Sequence, residues 1–145
     1  MGNLFALALF NSFVFLLSAY YFYRARQIVV NPDNQNSETG LNHRAYNGRG
    51  FVTMVTGVIL LLVEIEAFGV RFDTLPSWLR HTHEGIAGVA FACMVAIFCL
   101  RGTRLRSVRR FLMPVAYYLY VWVTVPLGMC IMWFHVIWVF LRGGL

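Results

Sequence analysis

Four long apolar runs separated by short polar segments organise this chain, and each is long enough to cross a bilayer core, which needs roughly 20 apolar residues of helix. The first extends from about Leu4 to Tyr23, interrupted by Asn11, Ser12 and Ser18, and closes on Tyr20-Tyr21-Phe22-Tyr23 followed by Arg24 and Arg26. Aromatic rings followed by arginine mark a membrane interface. The second run covers about Phe51 to Val70, the third His81 to Leu100 and the fourth Phe111 to about Leu141. The fourth is too long for an untilted span, with Pro114 near its start; Pro126 inside it predicts a kink and a carbonyl freed one turn earlier. The pattern predicts an all-α fold, a four-helix transmembrane bundle forming a single integral membrane domain over residues 1–145.

The connections differ in kind. Residues 27–50 read as a polar loop centred on Asn31-Pro32-Asp33-Asn34-Gln35-Asn36-Ser37-Glu38-Thr39-Gly40, with Asn42-His43-Arg44 leading out of it. It is first of all a solvated linker. Residues 71–80, with Pro76 and Trp78, read as a short interfacial turn, and residues 101–110 carry five arginines. Within the third run, Gly85 and Gly88 lie one above the other, a spacing that suits close helix packing.

Composition agrees with the pattern: 59% of residues are hydrophobic, 12% are charged and the mean hydropathy is +0.65. Such a balance excludes an ordinary soluble enzyme. All twelve basic residues are arginine against six acids, a net charge of +6. Because these charges lie between apolar runs, they read as topology signals and imply no nucleic-acid partner. Arg24, Arg26, Arg44, Arg49 and the five in 101–110 make nine on one side, against Arg71, Arg80 and Arg142 on the other. The positive-inside rule then places both termini outside the cytoplasm and the two arginine-rich links within it. The opening Met1-Gly2-Asn3-Leu4-Phe5-Ala6 lacks a basic start, so the first run is expected to be a retained helix. Cys93, Cys99 and Cys130 lie in apolar runs without CxxC spacing and read as small apolar residues.

With that orientation, three helices bring ionisable groups toward the outer face: Glu64 and Glu66, then His81, His83 and Glu84, then His135. Carboxylates inside a span are expensive unless partnered or protonated. His81 and Glu84 share a helix face, whereas His83 points away by about 200°, and Glu64 and Glu66 diverge in the same way. The candidate metal ligands are therefore His81, His83, His135, Glu64 and Glu84. Such a set could hold copper, zinc or iron, and His135 with His81 or His83 could ligate a b-type haem. Equally, these side chains could form an ion-pair and hydrogen-bond network holding helix ends together, or a proton path. The aromatic side chains of the fourth run, Tyr117, Tyr118, Tyr120, Trp122, Trp133, Phe134 and Trp138, read first as packing and interface anchors. No nucleophile elbow, phosphate loop or hydrolase carboxylate pair argues for an enzyme.

Asn42-His43-Arg44 before the second run, the His81/His83 region opening the third, and the basic link followed by Pro114 and Leu119-Tyr120-Val121-Trp122-Val123-Thr124 form an ordered set. In these elements, over roughly residues 40–130, the chain resembles a family of small four-helix bacterial membrane proteins of the CtaM type, maturation factors of haem-copper cytochrome oxidase. The family tends to carry a histidine in the basic link, where this chain has Arg106-Ser107-Val108-Arg109-Arg110, and the step from Pro114 to Tyr120 is longer here. The resemblance implies a non-catalytic protein of the bacterial inner membrane that serves a respiratory complex and handles metal or haem. The alternative is a structural accessory subunit of a larger respiratory or photosynthetic complex.

Overall fold

The computed structural model describes residues 2–30, 37–68, 75–100 and 104–143, and every long element among them is helical. Four helical stretches are long and apolar enough to cross a membrane, Phe5–Val30, Asn42–Glu66, Ser77–Cys99 and Ser107–Gly143. The chain forms two compact units, Met1–Arg71 and Phe72–Leu145.

The first unit is a hairpin of α1 (Gly2–Val30) and α2 (Ser37–Phe68). On α1 the buried positions Ala8, Asn11, Ser12, Val14, Ser18, Ala19 and Ala25 recur at three- and four-residue steps, and nearly all are small. Small side chains let two backbones approach closely, which is how helices associate where lipid removes the hydrophobic difference between inside and outside. The facing stripe on α2 includes Gly50, Met54, Gly57 and Glu64. A Cβ on Gly50 would lie 3.2 Å from the Phe22 ring, and one on Gly57 3.1 Å from Val14 and 3.2 Å from Phe15. Partners therefore run in opposite order along the two helices: His43 meets Ala25, Gly50 meets Ser18, and Glu64 meets Asn11. The hairpin is antiparallel.

Helix α2 begins at Ser37, well before the apolar run. Of residues 27–50, expected to form a polar loop, 27–30 are thus the end of α1 and 37–50 the start of α2; residues 31–36 lie outside the described residues. Tertiary ties hold this polar start in place. His43 Nδ1 donates to the Ala25 carbonyl at 2.8 Å, Asn47 Nδ2 donates to His43 Nε2 at 3.0 Å, and the Tyr46 and Tyr21 rings lie 6.1 Å apart. His43 is thus committed at both ring nitrogens.

In the second unit, α3 (Ser77–Cys99) starts directly after Pro76, a turn earlier than the apolar run; a proline beside a helix start removes no bond the helix would make. Ala90 and Met94 face inward. The fourth span is one continuous rod of three parts, α4 (Arg106–Tyr117), a π-helical segment (Tyr118–Thr124) and α5 (Val125–Gly143). The expected distortion before Pro126 takes this π form. Val125 N–H reaches back to the Tyr120 carbonyl, and Pro126, with no N–H, leaves the next bond unmade. The wider turn relieves the clash of a proline ring with the carbonyl one turn before it. At the end of α5, Phe134 stacks on Trp138 and the Arg142 guanidinium lies 4.5 Å from the Trp138 ring centre. The pair places an aromatic anchor and a cation together, as at a membrane interface. Of the turn expected at 71–80, residues 77–80 are instead the first turn of α3, and residues 71–74 lie outside the described residues, as do residues 101–103 of the basic link.

Candidate functional site

The five candidate ligands fall into separate settings. His81 and Glu84, one turn apart on the first turns of α3, meet at 3.2 Å, with Arg80 at 3.7 Å from the other carboxylate oxygen. Both members of the pair are mostly exposed, so this is a local clasp at a helix start, worth a few tenths of a kcal/mol to about 1 kcal/mol.

His83 points the other way, as its position two residues on requires. Its ring lies on α5 at Gly128, where a Cβ would come within 2.9 Å of Cε1 and 3.2 Å of Nε2. Glycine at 128 thus makes the seat for the imidazole. Nδ1 of His83 is buried and has no hydrogen-bond partner. His135 is also buried, on α5. It follows Gly128 by two turns, about 10 Å of helix axis. The Thr124 hydroxyl, in the π-helical segment, is a second buried polar group without a partner in this unit.

Glu64 belongs to the first unit, where its carboxyl group accepts a hydrogen bond from Asn11 Nδ2. Asn11 is 1% exposed, and its Oδ1 is buried without a partner. Leaving such an acceptor unpaired costs about 1–3 kcal/mol. Two further polar residues of α1 are fully provided for: Ser12 Oγ donates to the Ala8 carbonyl at 2.7 Å, and Ser18 Oγ to the Gly50 carbonyl of α2 at 2.9 Å. Glu66, two residues past Glu64, is exposed.

Among the described residues, no three His, Cys, Asp or Glu side chains gather closely enough to hold a metal ion. What the structure brings together is His81 with Glu84, His83 with Gly128 and Glu64 with Asn11. Asn11 and Gly128 carry no signal as ligands in the sequence, Asn11 reading only as an interruption of an apolar run. The signal that could have found Asn11 is its place on the stripe of small residues, which predicts the face turned to a neighbouring helix. Comparison with protein-family models, curated proteins and solved structures finds no match for this chain.

Proposed function

We propose that this chain is a non-catalytic integral membrane protein that packs as an accessory subunit against a larger electron-transfer complex, respiratory or photosynthetic. The observation that supports it is how little of each span the chain itself covers. At most a third of any spanning window is buried. The uncovered surface includes not only side chains suited to lipid, such as Phe13, Leu62, Val89 and Phe140, but also Gly85 and Gly88, beside which a Cβ would meet nothing within 4 Å. Close-packing glycines left bare within the chain suit a helix of another protein. Extraction in gentle detergent should yield the chain within an assembly several times its own 16.7 kDa. A free, stable monomer at every detergent strength would overturn this reading.

A second reading, a maturation or metal-handling factor of a haem-copper oxidase, draws on the unpartnered buried Nδ1 of His83. One imidazole nitrogen is one donor, and copper or a b-type haem would need further donors. On this reading the rest come from the client protein, and the chain presents a ligand instead of caging a metal. Copper and haem analysis of the purified protein separates the two: metal retained by the native chain and lost in H83A favours maturation, whereas a colourless, metal-free preparation from copper-replete cells favours the accessory role.

A further inference from the structure

The hydrogen bonds of Asn11 and Glu64 do not balance for an ionised carboxylate. Nδ2 of Asn11 already donates to one carboxyl oxygen of Glu64, yet Oδ1 of the same amide is buried with no donor. A carboxylate only accepts and has nothing to offer Oδ1. A carboxylic acid has one hydrogen to give. Its carbonyl oxygen takes the N–H and its O–H reaches Oδ1, closing a ring in which both amide atoms and both acid oxygens are used.

Among the described residues of the first unit, no charge stands close enough to replace that proton. From Phe5 to Ser18, α1 holds no ionisable residue. The described cations of the two helices lie far along their axes: Arg24 and Arg26 beyond Asn11 on α1, Arg44 and Arg49 before Glu64 on α2, the nearest of them about 20 Å away by helical rise. His43 is further still and is already bonded at both nitrogens. Glu66 leaves α2 in a different direction and would add only negative charge. At the same time Glu64 stands four residues before Phe68, about 6 Å from the end of α2, and is only partly covered, so a proton has a short way to water.

We propose that Asn11 and Glu64 form a proton-binding site inside the membrane-spanning part of the first hairpin, with Glu64 holding the proton and Asn11 recognising the neutral acid. The site is independent of the accessory role. It also predicts a specific reactivity. A membrane-soluble carbodiimide adds a carboxylic acid across one C=N bond: the acid oxygen bonds to the central carbon and the acid proton goes to nitrogen. An acyl shift from oxygen to nitrogen then gives a stable N-acylurea. Nothing is oxidised or reduced and no group leaves, but the acid proton is required.

The test uses the full chain in lipid vesicles near neutral pH, treated with dicyclohexylcarbodiimide and mapped by peptide mass spectrometry. Glu64 is expected to carry one carbodiimide adduct, and labelling at that position should fall as the pH is raised. E64Q should lose the adduct and the carboxylic acid C=O infrared band while keeping its thermal stability, because a glutamine amide still offers Asn11 one donor and one acceptor. The proposal is overturned if Glu64 stays unmodified in vesicles yet reacts once the same sample is acidified in denaturing detergent. Protection of Glu64 by sodium ions at constant pH would also overturn it, since the ligand would then be a metal cation.

Discussion

At the scale of single residues, the chain separates positions where a side chain is forbidden from positions where it is merely absent. Gly57 is of the first kind: a Cβ already lies 3.1 Å from the stiff Val14 and 3.2 Å from the Phe15 ring. Gly48 is of the second, with nothing within 4 Å. Overpacking costs about 1–3 kcal/mol, while replacing a helix-interior glycine gains up to about 1 kcal/mol in propensity. G57L should therefore destabilise the first hairpin by about 2 kcal/mol, and G48L should leave it unchanged or slightly more stable. Reversible unfolding in mixed micelles measures both, and equal effects would refute the packing assignment. S18A is a smaller change. It removes one hydrogen bond between helices, about 0.6 kcal/mol in membrane proteins, and leaves a Gly50 carbonyl that the helix can still use. Its loss should be well below that of G57L. The paired settings of His81 with Glu84, and the divergence of His83 from them, were legible in sequence because they follow from helical geometry alone. The seat of His83 on Gly128 was not, since it depends on which residue of a distant helix comes opposite.

At the scale of elements, hydropathy located all four spans but not where their helices begin. Apolar runs report what lipid will accept, whereas a helix continues as long as its backbone bonds and side-chain ties allow. The start of α2 shows the difference. Residues 37–50 contain Asn42, Asn47 and three glycines, which favour turns, and still fold as helix because His43 and Tyr46 fasten them to α1. H43A removes the bonds to Ala25 and Asn47 together. Amide hydrogen exchange over residues 42–50 should then quicken about tenfold, the equivalent of 1.4 kcal/mol, with little change over residues 54–64. A uniform change along α2, or none, would show that the polar turns hold themselves. The π-helical segment was half legible: Pro126 announced a distortion, but a kink, a local break and a widened turn all answer the same missing N–H. The burial of Tyr120 within it is what the sequence could not weigh.

At the scale of the whole molecule, the expectation to test is orientation in the membrane, which the positive-inside rule reads from charge. Arginine near span ends resists translocation, so the arginine-rich links are expected in the cytoplasm. Nine of the twelve flank the two links that follow the first and third spans. Of these, Arg24, Arg44, Arg49, Arg104 and Arg110 are exposed in the folded chain. The three on the other side are split between two segments, and Arg142 already leans on Trp138. Alkaline phosphatase, active only after export, should therefore be active when fused after Leu145 and inactive when inserted between Thr103 and Arg104. Replacing Arg104, Arg106, Arg109 and Arg110 together with glutamine reduces the excess from nine against three to five against three, and a mixed orientation should appear as partial activity in the inserted fusion. Activity at the link in the native chain would reverse the expected topology of the second unit and would put the His81–Glu84 clasp and the His83 seat at the cytoplasmic end of α3.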